Sequence, residues 1–228
     1  MKARRRIALD FAVPLAILAA GTAVFWTTDL DLALQAHFYV PGEGWPIGRE
    51  EPWQALYDFG VIPAWVLALG ALGVLIASIG RPRYVRYRRA AWYFVLAMAI
   101  GPGLLVNNVF KQNWGRPRPK DLALFESAKA QPYVRVWVKG PPERGNSFAS
   151  GHAATAFFLM TPFLVLRRRA LGAALAFLIV GLGYGALMGV ARMAQGAHFA
   201  SDALWAGGFV YLSALVIYYA LGFDWERP

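Results

Sequence analysis

Cysteine is absent from the 228 residues, which excludes a disulfide framework, a thiolate nucleophile and a thiolate metal site. Charge is scarce as well: 16% of residues are charged, against about 25% in an ordinary soluble domain. Acid is scarcer than base, with 13 Asp and Glu against 23 Lys and Arg, so the formal net charge is +10. Histidine occurs three times. No repeat of solenoid type and no low-complexity tract is present. Most of what remains is apolar, 58% hydrophobic and 15% aromatic. This composition excludes a disordered chain and argues against a soluble globular enzyme. The excess of cations suits nucleic acid, a membrane surface or an anionic substrate, and their position decides among these.

A helix crossing about 30 Å of hydrocarbon needs about 20 mostly apolar residues. Six stretches have that character, 7–27, 60–79, 91–110, 151–166, 170–190 and 200–222, the fourth being the shortest. One such stretch fits a buried core helix, but six leave too little polar chain to cover them. The expectation is an all-α polytopic membrane protein with six transmembrane helices in one domain over residues 1–228, with no nucleic-acid partner and no obligate protein partner evident. A basic start and an apolar run also describe a secretory signal, but the run is long and no small-residue cleavage pattern closes it. It reads as a retained first span.

Lys and Arg cluster at 2–6, at 81–89 and at 167–169. With six spans these clusters share one side with the carboxy terminus, which the positive-inside rule makes cytoplasmic. Trp26, Trp92, Trp114 and Trp225 fall near span ends, where amphipathic rings favour the interface. Gly181, Gly185 and Gly189 recur every four residues, a pattern for close helix packing.

The outer loop 111–150 departs from this charge rule. It carries Lys111, Arg116, Arg118, Lys120, Lys129, Arg135, Lys139 and Arg144 against Asp121, Glu126 and Glu143. A solvated loop is the plain reading. The other is an anion site, phosphate above all, because guanidinium forks match its oxygens.

Three segments then fall at one depth. Lys111 to Pro119 ends the third span, Ser147 to His152 opens the fourth, and Arg192 to Asp202 joins the fifth to the sixth. Ser150 and Gly151 stand where a helix begins, with unpaired N–H groups suited to an anion; Ser150 also suits an ordinary N-cap. His198 and Asp202 are four apart, on one helix face if the sixth helix has begun, and a carboxylate there orients an imidazole. His152 lies beside an anion-binding feature, while His37 has no such company. Two readings can be drawn from these residues beside a simple anion site. A Ser150–His198–Asp202 triad makes an intramembrane hydrolase but leaves the cations idle. An anion channel or lipid-binding protein uses the cations but has no need of paired histidines.

These residues resemble the type 2 phosphatidic acid phosphatases, within the superfamily of acid phosphatases and vanadium haloperoxidases. Lys111, Arg118 and Pro119 match the first part of that pattern, Ser150, Gly151 and His152 the second, and Arg192, His198 and Asp202 the third. Ala149 stands in place of the family's proline, and Ala191 in place of the serine before its arginine. The resemblance implies a helical-bundle phosphatase that needs no metal or other cofactor. His198 would form a phosphohistidine, oriented by Asp202, and His152 would act as acid and then base. Lys111, Arg118, Arg192, Ser150 and the Gly151 amide would bind phosphoryl oxygens, with Arg116 a possible extra contact. The implied substrate is a membrane lipid phosphate facing the periplasm or exterior: lipid A, undecaprenyl diphosphate, phosphatidylglycerophosphate or phosphatidic acid. The runs 146–153 and 192–202 look similar to bacterial members that include lipid A phosphatases. Phe125, Tyr133, Val134, Val136 and Trp137, interleaved with charges, suggest head-group selection or a plain interfacial loop. Leu30, Leu32, Leu34, Phe38 and Tyr39 suggest an interfacial segment that guides the lipid.

Overall fold

The computed structural model describes residues 2–224; Trp225 and the carboxy terminus lie outside the described residues. The elements are helical throughout: α1 (Lys2–Thr27), α2 (Leu30–Ala36), α3 (Trp53–Phe59), α4 (Ile62–Gly80), α5 (Arg88–Met98), a π-helical stretch (Ala99–Phe110), α6 (Lys111–Asn113), α7 (Gly151–Phe157), α8 (Pro162–Leu166), α9 (Leu171–Ala194) and α10 (Ala200–Ala220). Among the described residues no strand forms. The widened turns at Ala99–Phe110 contain Pro102, which has no N–H to donate and crowds the preceding turn. Such widening commonly marks a functional region, and here it leads directly into Lys111.

Five helices are long and apolar enough to cross a bilayer: Arg4–Thr27, Trp53–Gly80, Pro82–Asn113, Leu171–Ala194 and Ala200–Ala220. The protein is an integral membrane protein. The fourth stretch is the shortest, as the sequence suggested, yet it joins the two ends of the bundle, from Gly151 at the loop end to Arg167, which pairs with Asp10. Gly151–Leu166 is a shorter apolar helix, spanning roughly 24 Å at the rise of an α-helix. Ala153, Ala154, Ala156, Phe158, Met160 and Leu164 on it are buried, so it is a core helix enclosed by its neighbours. α10 is the other central element, with 56% of its apolar window buried against 6% for α1.

The glycines of α9 make this enclosure possible. A Cβ on Gly181 would lie 2.2 Å from the Met160 amide nitrogen, and one on Gly185 would lie 2.1 Å from the Phe157 ring. Gly189 meets the Ala203 methyl. The four-residue spacing thus sets α9 directly against the core helix and α10, the close approach that the pattern led one to expect.

The two ends of the bundle differ in chemistry. At one, Arg167 pairs with Asp10 at 2.6 Å and reaches the Tyr219 hydroxyl, and Arg89 lies over the Phe223 ring. At the other, residues 29–58 and 114–149 fold over the helix ends. Leu32, Phe38 and Tyr39 pack on a buried cluster of Trp45, Leu122, Phe125 and Phe199, so this segment turns its apolar residues inward onto the loop. Trp137 packs edge-on against Trp114, Phe148 and Trp205, and Val136 is buried. The aromatic residues of the loop are therefore packing groups.

Gly181→Leu should drive a side chain into backbone, at a cost of several times the ~1–3 kcal/mol typical of overpacking, and should abolish folded protein in detergent. Gly183, two residues on, meets nothing within 4 Å, so Gly183→Leu should leave thermal unfolding unchanged. The comparison is read from melting curves of the purified proteins.

Candidate active site

The loops carrying the three sequence segments are joined by direct hydrogen bonds. The Ser147 amide donates to the Arg116 carbonyl at 3.0 Å, the Lys120 amide to the Gly196 carbonyl at 3.0 Å and the Ser150 amide to the Asp202 carbonyl at 3.4 Å. Under these bonds lies Arg116. It is 0% exposed, and each of its nitrogens is engaged: Nε donates to the Val134 carbonyl, Nη1 to Asp202 at 2.5 Å and to Ser201 Oγ, and Nη2 to Asp31 at 2.8 Å. Its guanidinium plane also lies over the Phe199 ring. Burial works against this charge, but Asp202 and Asp31 outweigh it and hold the group above its ordinary value. Arg116 is therefore not a phosphate contact, as the sequence suggested, because no donor of it reaches the open face. It is the buried centre that fixes the loops.

Asp202 belongs to the same network. Its carboxylate accepts from Arg116, from Ser147 Oγ at 2.6 Å and from the Phe199 amide at 2.9 Å. The last bond caps α10, which begins at Ala200, so His198 precedes the helix instead of sharing a face of it. His198 Nδ1 lies 2.7 Å from the Ser147 carbonyl and 3.8 Å from Asp202. The direct orienting group for the imidazole is thus a backbone oxygen. Asp202 acts on it through Ser147, which it grips by the hydroxyl. Since a carbonyl only accepts, Nδ1 carries the proton, and Nε2 keeps its lone pair with no partner among the described residues. Burial pushes the imidazole down to about 4; Asp202 pulls the other way, and Arg192 and Arg118 add to the fall. Gln35 Nε2 holds the His198 carbonyl at 2.8 Å.

Around Nε2 the remaining residues converge. His152 lies within electrostatic reach of Arg192, His198, Lys111 and Arg118, so the structure brings these two histidines and three cations together. Arg192 donates to Gln195 Oε1, while its Nε is buried without a partner. Ser150 is the N-cap residue of α7 yet makes no capping bond, and its buried Oγ is also unpartnered. The hydroxyl has not been spent on the helix. Gly151 sits against Asn107, whose Oδ1 would lie 2.5 Å from an added Cβ; only glycine fits there. Arg118 is steered by Asn146 at 2.8 Å, and Lys111 lines a recess with Asn107 and Asn146. Ala191, where the family has serine, is fully buried. Among the described residues no group of three or more His, Cys, Asp or Glu comes together; fixed cations supply the charge complementarity here.

Several contributors gave no signal in the motifs. Tyr57 on α3 stacks on the His152 ring at 4.9 Å and takes the Arg192 guanidinium over its own ring at 4.5 Å, aligning two groups at once. Asp31 and Gln35, both on α2, support Arg116 and His198. An acidic residue beside the outer interface of an acid-poor chain was the available hint for Asp31; Tyr57 and Gln35 had none.

Arg116→Ala should strand two buried carboxylates and cost about 3–5 kcal/mol, whereas Arg118→Ala should leave the melting temperature unchanged and depress activity. Tyr57→Phe should keep both ring contacts, while Tyr57→Leu, losing a stack and a cation–π contact, should lower kcat about 10-fold or more. Steady-state kinetics beside melting curves check both.

Residues 90–226 match the family model of the PAP2 superfamily. The chain is 34% identical over 200 residues to the lipid A 4'-phosphatase of Francisella tularensis subsp. novicida (strain U112), which covers 83% of this chain and 85% of that one. It is 35% identical over 127 residues to the lipid A 4'-phosphatase of Rhizobium leguminosarum, covering 54% and 50% of the two chains. Rhizobium etli has a lipid A 4'-phosphatase that is 35% identical over 126 residues. No solved structure matches the chain. With its helical membrane bundle and clustered cations, the chain belongs to the PAP2 superfamily and is an integral membrane lipid phosphate phosphatase.

Proposed function

We propose that this enzyme hydrolyses a phosphate monoester of a lipid A-type saccharide lipid through a phosphohistidine on His198. The observation that carries the reading is the bond from His198 Nδ1 to the Ser147 carbonyl, which leaves Nε2 as a lone-pair nucleophile amid cations. Nε2 attacks phosphorus in line with the leaving oxygen, whose bond to phosphorus breaks as His152 delivers a proton to it. His152, now neutral, takes a proton from water; that water attacks phosphorus, the P–N bond breaks, and inorganic phosphate leaves. Lys111, Arg118, Arg192, Ser150 Oγ and the Gly151 amide hold the three non-bridging oxygens, and charge stabilisation of this kind carries most of phosphoryl transfer. Asp202 is a positioning residue. The lipid A assignment rests on the named relatives. Undecaprenyl diphosphate, phosphatidylglycerophosphate and phosphatidic acid are the comparators.

In this reading residues 1–228 form one membrane phosphatase domain. The basic stretches 2–6, 81–89 and 167–169 are cytoplasmic by the positive-inside rule, both termini lie on that side, and the site opens to the periplasm through the loop 111–150. A Ser150 nucleophile with His198 as its base finds no support, since Ser150 Oγ has no partner and His198 Nδ1 serves Ser147.

Purified protein given radiolabelled lipid A should release phosphate, resist EDTA and be inhibited by vanadate. His198→Ala should lose activity by about 10³-fold or more. Acid-labile label on a histidine should accumulate in His152→Ala and be absent from His198→Ala; label persisting without His198 overturns the assignment. Because burial holds His198 near 4, it stays neutral down to that pH. The acid limb of kcat/KM, which reports the free enzyme, should therefore fall as pH drops through about 4 and show no break near 6.5 from this group.

A further inference from the structure

The phosphoryl site is one end of a larger basic cleft. A cavity of about 410 Å³ opens beside it, and its walls include Arg118 and Arg192 from the site together with Arg49, Lys120, Gln54 and Gln195. Arg49 comes from the short helix Ile47–Arg49, and Lys120 from the turn after Pro119, where its amide is tied to the Gly196 carbonyl. The two therefore reach the cleft from separate parts of the chain. Lys120 lies within electrostatic reach of both Arg118 and Arg192. Among the described residues, no carboxylate forms an ion pair with Arg49, Lys111, Arg118, Lys120 or Arg192. Lys129, by contrast, has its partner in Asp121 at 2.8 Å.

One phosphate monoester carries at most two negative charges, and Lys111, Arg118 and Arg192 already answer them. Like charges held together repel, and the fold maintains this excess with Asp121 paired to Lys129 and with Asp31 and Asp202 paired to Arg116. The amides on the same wall are held within the protein, Gln54 donating to Asp58 and Gln195 accepting from Arg192 and donating to the Gly48 carbonyl, so the cations are the wall's available donors. We infer that Arg49 and Lys120 form a second anion subsite, which binds another phosphoryl group on the same lipid head group. The inference rests on the phosphatase reading and extends it to substrate choice: the enzyme prefers a head group bearing two phosphates to one bearing only the phosphate it removes.

The test uses full-length enzyme in mixed micelles with two probes, lipid A bearing both of its phosphates and the same lipid bearing the 4'-phosphate alone. Wild type should show the higher kcat/KM on the first. Lys120→Gln and Arg49→Gln should each lower the ratio between the two probes, through KM, by about 10-fold for a lost charge-assisted contact; Lys120→Glu should lower it further, and Arg49→Lys should restore most of it. Lys129→Gln should not move the ratio. Equal losses on both probes, or no loss, overturn the subsite. If the variants change only inhibition by added inorganic phosphate and leave the ratio intact, the cleft binds free phosphate and the inference also fails. Absence of phosphate release from either probe by wild type would refute the phosphatase reading itself, an outcome distinct from these.

Discussion

A guanidinium with no exposure to solvent, held between two carboxylates, is the constraint on which the outer end of this protein depends. Arg116 joins Asp31 of α2 to Asp202 of α10 and to the Val134 carbonyl of the loop. A buried ion is costly unless every donor finds a partner, and losing one partner leaves an uncompensated charge. The three elements are consequently fixed in one arrangement. Everything chemical at this end follows from it: Asp202, once positioned, grips the Ser147 hydroxyl, and the Ser147 carbonyl meets His198.

The site is built in two shells with different demands. The inner groups are those left with unused atoms: an unpartnered serine hydroxyl, an arginine whose Nε is unpaired and an imidazole nitrogen without a hydrogen-bond partner among the described residues. The surrounding groups are almost fully satisfied, so their geometry is set before any substrate arrives. Preorganised donors of this kind act without reorganisation at the moment of reaction. Tyr57 belongs to both shells, since one ring aligns His152 on one side and Arg192 on the other.

The first third of the chain lies outside the match to the family model, which begins at residue 90, yet it supplies Asp31, Gln35 and Tyr57. Arg49, proposed here to meet a second phosphate, comes from the same region. Supports of the candidate site thus come both from within the matched region, as Arg116, Ser147 and Asp202 do, and from the chain before it.

The reactive residues were legible in the sequence because their types are rare in such a chain and their spacing puts them at helix ends. Two of three histidines stand in short segments with cations, and hydropathy alone places those segments at one depth. The glycine spacing on α9 likewise announced a close contact, since only a missing Cβ lets backbones approach so far. Other features had no linear signature. The orienting group for His198 is a main-chain oxygen, which every residue possesses, so no residue type points to it. Arg116 and Arg118 stand two apart in an Arg-Pro-Arg-Pro run, a spacing that in extended chain puts both on one face; that Arg116 alone turns inward depends on Asp31, 85 residues away. The fourth apolar stretch reads as a short span by composition, and its enclosure by α9 and α10 appears only in the fold. Local chemistry and periodicity reside in neighbouring residues and are visible in one dimension. Burial, charge pairing and the direction of a side chain depend on distant partners, and these exist only once the chain has folded.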